Sequence, residues 1–93
     1  MEFTYSDKGN NHGALEYELN GERVAEITWV LRDNVMNMNH TYVSDVLRGK
    51  GVAKKLLDAA ADYARKNNLK MNAICSYVVS ACEKSDAYYD LKA

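Results

Sequence analysis

The feature that most constrains this chain is a strand-to-helix corner that carries two glycines, between His40 and Asn68. An extended segment is predicted to end near Val43, Gly49 and Gly51 follow it, and a run of helix-forming residues begins directly afterwards. Because glycine lacks a Cβ atom, the backbone there can adopt unusual dihedral angles and lie directly against a ligand. The sequence therefore predicts a strand, a tight bend and a helix in succession.

The chemistry around this corner favours an anionic ligand. The first N–H groups of a helix have no intrahelical partner, and the helix dipole makes that end attractive to negative charge. From residue 48 to residue 55 there are four cationic side chains and no acidic one. A phosphate-bearing ligand is the simplest interpretation. The alternative, an ordinary turn with solvated lysines, stays open at this point because a pair of glycines alone is weak evidence.

Two common phosphate-binding loops do not fit these residues. The chain has no G-x-x-x-x-G-K-[ST] sequence. A dinucleotide-binding fingerprint fails because Lys54 stands in the place of its last glycine and Leu69 stands where an acidic residue is needed.

Three short motifs together resemble those of a known family. The sequence R-G-K-G-V-A at residues 48–53 resembles the acyl-CoA pyrophosphate loop of the GNAT N-acetyltransferase superfamily, written [QR]-x-x-G-x-[GA]. H-T-Y-V precedes it at residues 40–43, and C-S-Y-V follows it at residues 75–78. The set is similar to that of small, truncated, single-domain GNAT-like proteins with H-T-x-V, the glycine loop and C-x-[FY]-V. The resemblance covers nearly the whole chain, including the closing Tyr89-Asp90-Leu91.

This resemblance implies acetyl-CoA as acyl donor and an amine as acceptor. It implies that the pyrophosphate lies on the loop backbone and that the pantetheine arm follows the strand before the loop. The implied cofactor-binding residues are Val43, Arg48, Gly49, Lys50, Gly51, Val52, Ala53 and Lys54. The chain departs from the family pattern at Ser44 and just before Cys75, where prolines are common. The competing hypothesis is a module that binds or senses acyl-CoA without efficient turnover.

His40 and Cys75 are the catalytic candidates. An imidazole titrates near neutral pH and can serve as a base or a proton relay. The alternative for His40 is a half-buried histidine hydrogen-bonded within its strand. Cys75 lies between a predicted strand and a predicted helix, where a thiolate is stabilised and can accept an acetyl group as a thioester. The alternative for Cys75 is a small buried residue where helix meets sheet.

Periodicity also predicts where these side chains point. Alternation places His40 on the same strand face as Met36 and Met38, whose side chains are expected in the core. Cys82 falls in the middle of a predicted helix and is expected to be shielded by packing, so Cys75 should be the more reactive cysteine. Tyr77 can lie near the thioester, although ordinary packing is the simpler interpretation.

The composition is that of a small globular protein. The 93 residues include 47% hydrophobic and 27% charged residues, with a net charge of −1, which predicts no general attraction to nucleic acid or membranes. No apolar run reaches the length of a membrane helix and no signal peptide is present, so a cytoplasmic location is expected. Two cysteines without zinc-site spacing predict reduced thiols and no metal site.

The predicted fold is a single α/β domain, residues 1–93, with a mostly antiparallel mixed sheet. An edge strand at residues 1–6, a polar loop at residues 7–13 and an alternating strand at residues 15–19 open the chain. Asn20-Gly21 is a strong hairpin signal before a second long strand at residues 24–31. After a turn, a third strand occupies residues 35–42.

The second half of the chain is predicted to be mostly helical. The principal helix spans residues 50–67 with one apolar stripe, and Asn67-Asn68 is predicted to close it in a left-handed conformation. A short parallel strand follows at residues 69–74, and a short helix at residues 77–84. A last turn at residues 87–91 is predicted to pack its tyrosines.

Overall fold

A computed structural model describes all 93 residues of the chain. The strands are β1 (Thr4–Gly9), β2 (His12–Leu19), β3 (Glu22–Arg32), β4 (Val35–Val43) and β5 (Lys70–Ala73). The helices are α1 (Val52–Lys66) and α2 (Ser76–Lys84), with short 3₁₀ helices at Asp45–Leu47 and Asp86–Leu91. None of the helices combines the length and the apolar character that a membrane crossing requires.

The five strands form one sheet in chain order. The pairs from β1 to β4 are antiparallel, and β5 pairs with β4 in parallel. A parallel pair cannot be joined by a hairpin, so α1 makes the long connection between β4 and β5. The predicted mixed, mostly antiparallel sheet with one main helix after the glycine loop is confirmed.

Tight two-residue turns join the antiparallel strands. Asn20 and Gly21 have φ angles of 53° and 80°, which confirms the predicted hairpin. Asn10 and Asn11 also have positive φ angles, 52° and 65°, and they join β1 directly to β2. The prediction of a loop over residues 7–13 is therefore wrong, because asparagine tolerates the left-handed region and two residues suffice for the turn.

One face of the sheet is covered by α1. Ala25, Ile27 and Trp29 of β3 are buried on this face, as the alternation predicted. The helix begins two residues later than predicted and buries Val52, Leu56, Leu57, Ala60, Ala61 and Ala64. It ends as predicted, with Asn68 at a φ of 55° and the amide of Leu69 donating to the Ala64 carbonyl at 2.8 Å.

A bulge in β4 changes which side chains face the core. Trp29 pairs with Met38 but Thr28 pairs with His40, so Asn39 is an extra residue in β4. Before the bulge Met36 and Met38 are fully buried, and after it His40 is exposed. The prediction that His40 shares a face with the two methionines is wrong, because one extra residue reverses the alternation of a strand.

The C-terminal segment packs against α1 through Tyr88. Tyr88 is buried, and its hydroxyl donates to Asp58 Oδ1 of α1 at 2.5 Å. Lys54 donates to the other carboxylate oxygen at 2.8 Å. Tyr89, in contrast, is 74% exposed, so the predicted packing of the tyrosines is wrong for this residue. Each turn of a 3₁₀ helix holds three residues, and consecutive side chains cannot all face the core.

These contacts control the protonation of Asp58. Partial burial alone would raise the pKa of this carboxyl, but the hydrogen bonds from Lys54 and Tyr88 outweigh burial and lower it. Burial and the Asp58 carboxylate together raise the pKa of Tyr88, which therefore remains a hydrogen-bond donor throughout the physiological range. The contact fixes the C-terminal segment to α1 through a charge-assisted hydrogen bond.

We expect Tyr88→Phe to lower the free energy of unfolding by about 1–2 kcal/mol at neutral pH, because it removes a hydrogen bond to a half-exposed carboxylate. Tyr89→Phe is the matched control and should be neutral. The pKa of Asp58 is lowered in the folded state, so this contribution is present above the unfolded value of about 3.9 and is lost as the pH falls through the folded value. Urea denaturation at several pH values tests this. Equal losses for both variants would contradict it.

Candidate functional site

The candidate site begins where β4 loses its parallel partner. The last pair of the parallel ladder joins Met38 to Ala73. The Met38 carbonyl then accepts from two successive amides, those of Ile74 at 3.0 Å and Cys75 at 2.9 Å. Residues 39–43 of β4 have no strand partner on this side. The second half of β4 therefore presents an open backbone edge beside the start of α2.

The glycine loop adopts the conformation that its residues predict. Gly49 and Gly51 have φ angles of 80° and 66°, and Gly51 is the N-cap of α1. A Cβ atom added at either position would meet no atom within 4 Å. The glycines therefore suit this backbone conformation, and the space beside them is open to a ligand.

The loop and the first turn of α1 present a row of unpaired donors. The amides of Arg48 and Lys50 bond to the carbonyls of Asp45 and Leu47. The amides that donate to no protein acceptor are those of Gly49, Gly51, Val52, Ala53 and Lys54. Five unpaired N–H groups at the start of a helix form an anion-binding surface, which supports the phosphate interpretation.

Two of the loop's cations already have acidic partners. Arg48 pairs with Asp45 at 2.8 Å, and Lys54 pairs with Asp58 at 2.8 Å. Lys50 and Lys55 make no ion pair and remain available to a ligand. Sequence analysis missed both acids because they flank the basic segment, although the spacing of Lys54 and Asp58, four residues along a helix, is a recognisable signal.

Cys75 lies at the open edge, between β5 and α2 as predicted. It is the N-cap residue of α2 and is half-buried. Its sulfur lies 3.4 Å from the hydroxyl oxygen of Thr41, on the part of β4 that has no partner. Sequence analysis missed Thr41, because only the bulge turns this side chain toward the core face.

Tyr77 and Cys82 are the two residues of α2 whose side-chain pKa values are raised. Burial and the nearby Asp58 carboxylate raise the pKa of the half-buried Tyr77, so its phenol stays protonated. Cys82 is exposed, and the prediction that packing shields it is wrong. Val78 is the only fully buried residue of α2. Partial burial of its sulfur nevertheless raises the pKa of the Cys82 thiol.

His40 lies on the opposite face of the sheet from Cys75. Its Nε2 atom is 3.4 Å from Glu26 Oε2 on the neighbouring strand, and its side chain is 55% exposed. Glu26 also pairs with Arg23, whose Nε lies 3.4 Å from Oε1. His40 is therefore more exposed than the half-buried alternative expected, with an acidic partner on the neighbouring strand. The structure brings Thr41 and Cys75 together but does not bring His40 to the thiol.

The residues of the site show no arrangement suited to a metal ion. No group of three or more histidine, cysteine, aspartate or glutamate side chains converges at metal-binding distance.

Comparison with known proteins agrees with this arrangement. The solution structure of a GCN5-like protein from Staphylococcus aureus is similar, with a TM-score of 0.70 and 42% identity, over 99% of this chain and 87% of that chain. A ribosomal-protein-alanine N-acetyltransferase from Brucella melitensis has a TM-score of 0.63 at 25% identity, over 83% of this chain and 64% of its own. GCN5 of Tetrahymena, at 13% identity and a TM-score of 0.66 over 84% of this chain and 51% of its own, shows the fold alone.

Sequence comparison identifies the family. Protein NATD1 of Gallus gallus is 32% identical over 69 residues, which cover 74% of this chain and 53% of the relative. Its Homo sapiens counterpart is also 32% identical, with 74% and 51% covered, so the chain spans about half the length of these curated relatives. A family model described as GCN5-related N-acetyl-transferase matches residues 2–91. The chain belongs to the GCN5-related N-acetyltransferase family.

Proposed function

We propose that this protein transfers an acetyl group from acetyl-CoA to an amine. The observation that carries the proposal is the row of five unpaired amides at the start of α1, next to the strand edge that β5 leaves open. The amides suit the pyrophosphate of CoA, and the open edge suits its extended pantetheine arm. Membership of the family supports the same donor and reaction class.

The binding residues follow from this placement. The backbone from Gly49 to Lys54 would hold the pyrophosphate, and Lys50 would add an unpaired positive charge. Arg48 and Lys54 would exchange their carboxylate partners for phosphate. Val43 ends the open edge along which the pantetheine would lie. A free amide on this edge, aimed at the thioester oxygen, would stabilise the negative charge of the transition state by roughly 3 kcal/mol.

We expect Gly51→Val to abolish detectable binding of CoA while the fold is retained. A valine there is strained at a φ of 66°, and its side chain would occupy the open space beside the amides. Gly21→Val is the matched control, since Gly21 has a φ of 80° and open surroundings but lies in the distant β2–β3 turn. Isothermal titration calorimetry measures the affinity and circular dichroism checks the fold. Equal CoA affinities of the two variants would show that the loop does not bind the cofactor.

The surroundings of Cys75 favour direct attack of the amine on the thioester. A cysteine nucleophile needs an adjacent base or another means of forming the thiolate. The side chain in polar contact with the Cys75 sulfur is the Thr41 hydroxyl, and His40 lies on the other face of the sheet. We therefore place Cys75 in the wall of the acetyl pocket, where its small side chain leaves room for the thioester.

We expect Cys75→Ser to retain the transfer rate within about threefold, because a pocket-lining thiol can be replaced by a hydroxyl of similar size. The intact mass of the wild-type protein incubated with acetyl-CoA alone should show no covalent acetyl group. Saturating CoA should slow alkylation of Cys75 but not of the exposed Cys82, which is the internal control. An acetyl adduct on Cys75, together with an inactive Cys75→Ser variant, would instead establish a covalent intermediate.

His40 is positioned to serve the acceptor rather than the thiol. The bound cofactor would follow the α1 side of the sheet, so the amine would approach the thioester from the uncovered face. His40 lies on that face, on the open part of β4, with Glu26 beside it. We propose that the His40 imidazole accepts the proton that the amine nitrogen loses.

We expect His40→Gln to slow transfer to an alkylamine at least tenfold. A general base typically contributes about 10²- to 10⁴-fold to the rate. Transfer to an arylamine, which is already unprotonated at neutral pH, should be affected much less. His12→Gln is the control, since His12 is the only other histidine and lies in the β1–β2 hairpin. Equal rates for His40→Gln and wild type would remove His40 from the mechanism. CoA binding without turnover of any amine would identify an acyl-CoA-binding module instead.

A further inference from the structure

A cavity lies away from the glycine loop, between the β1–β2 hairpin and the later turns of α1. It encloses about 320 Å³, and its walls include Tyr5, Asp7, Gly13, Trp29 and Tyr63. Tyr63 comes eleven residues after Val52, the first residue of α1. This separation corresponds to about 16 Å along the helix axis, so the cavity is distinct from the proposed CoA site.

The cavity depends on a row of three residues across the sheet. Asp7 of β1 pairs with Gly13 of β2, and Gly13 pairs with Trp29 of β3. A Cβ atom at Gly13 would lie 2.8 Å from Trp29 Nε1 and 2.9 Å from Cε2. The N–H edge of the indole therefore lies over Gly13. Since Gly13 stands between Trp29 and Asp7, this edge points toward Asp7.

The indole N–H is an unused donor at the cavity wall. Trp29 is only 3% exposed, and its Nε1 makes no hydrogen bond to protein. Every fully buried side-chain nitrogen or oxygen of the protein has a hydrogen-bond partner. Because Trp29 Nε1 has none, this atom must be accessible from outside the protein interior. Buried tryptophans usually find an acceptor for this group. Here the acceptor has to come from the cavity.

The remaining walls favour a positively charged ligand. Tyr5 and Tyr63 stack with their centroids 5.3 Å apart, and Trp29 lies 5.3 Å from Tyr63. Tyr5 is 47% exposed, so part of its ring surface is accessible. Asp7 contributes the carboxylate, one oxygen of which accepts from the Gly9 amide at 2.9 Å, and His12 is the only basic residue that lines the cavity. A carboxylate beside aromatic rings attracts an organic cation.

We propose that this cavity binds a small organic ammonium compound that also carries a hydroxyl or carbonyl oxygen. The ammonium group lies between the Asp7 carboxylate and the tyrosine rings. The ligand oxygen accepts the Trp29 N–H. This site is independent of the proposed acetyl transfer.

Tryptophan fluorescence tests the proposal directly, because Trp29 is the only tryptophan in the chain. Choline is the probe, and its neutral isostere, with carbon in place of the quaternary nitrogen, is the matched ligand. We expect choline to change the fluorescence saturably, with the isostere at least about tenfold weaker, since loss of a charge-assisted contact costs at least that much. Equal affinity of the two ligands, or no saturable change with choline, would overturn the proposal.

Variants locate the site. Asp7→Asn keeps an oxygen for the Gly9 amide but removes the charge, and it should weaken choline binding at least about tenfold. Glu22→Gln, at the opposite end of β3 from the cavity, is the control and should leave the affinity unchanged. Gly51→Val should bind choline normally even though it loses CoA, which separates this test from that of acetyl transfer. Unchanged affinity in Asp7→Asn would overturn the assignment of the carboxylate.

Discussion

The functional architecture depends on the two hydrogen bonds that the Met38 carbonyl accepts from successive amides of the chain after β5. Because this carbonyl accepts hydrogen bonds from the amides of both Ile74 and Cys75, the parallel ladder ends there. The next five residues of β4 lose their neighbour, and Cys75 is held at that point as the N-cap residue of α2. An uninterrupted ladder would have satisfied the β4 backbone and left no room for an acyl chain.

The strongly periodic parts of the fold could be predicted from the sequence. Asn20-Gly21 and the apolar stripe of α1 express local rules of turn chemistry and helical periodicity, and both are confirmed. The glycine loop was also predictable, since Gly49 and Gly51 have left-handed φ angles that glycine adopts without steric cost. The β1–β2 turn was missed because a run of polar residues indicates a loop while two asparagines suffice for a hairpin.

The candidate site was less predictable because its geometry depends on pairing between distant residues. The face on which His40 lies depends on the position of the β-bulge in the pairing of β3 with β4. Nothing in the β4 sequence marks Asn39 as the extra residue. The exposure of Cys82 likewise depends on how α2 packs against the rest of the fold, since Val78 is its only fully buried residue. Asp45 and Asp58 pair with two cations of the loop. A count of the basic residues alone therefore overestimates the positive charge available to a ligand.

The extra residue in β4 has an evolutionary consequence. Deletion of Asn39 would remove the bulge but leave the His40 imidazole on the exposed face and the Thr41 hydroxyl beside the sulfur of Cys75, because Met38 and His40 already pair with consecutive residues of β3. The loss of a single codon would thus straighten the strand without exchanging the faces of these two side chains. Proteins with the same fold can therefore gain or lose this residue and keep the same division of side chains between the two faces of the sheet.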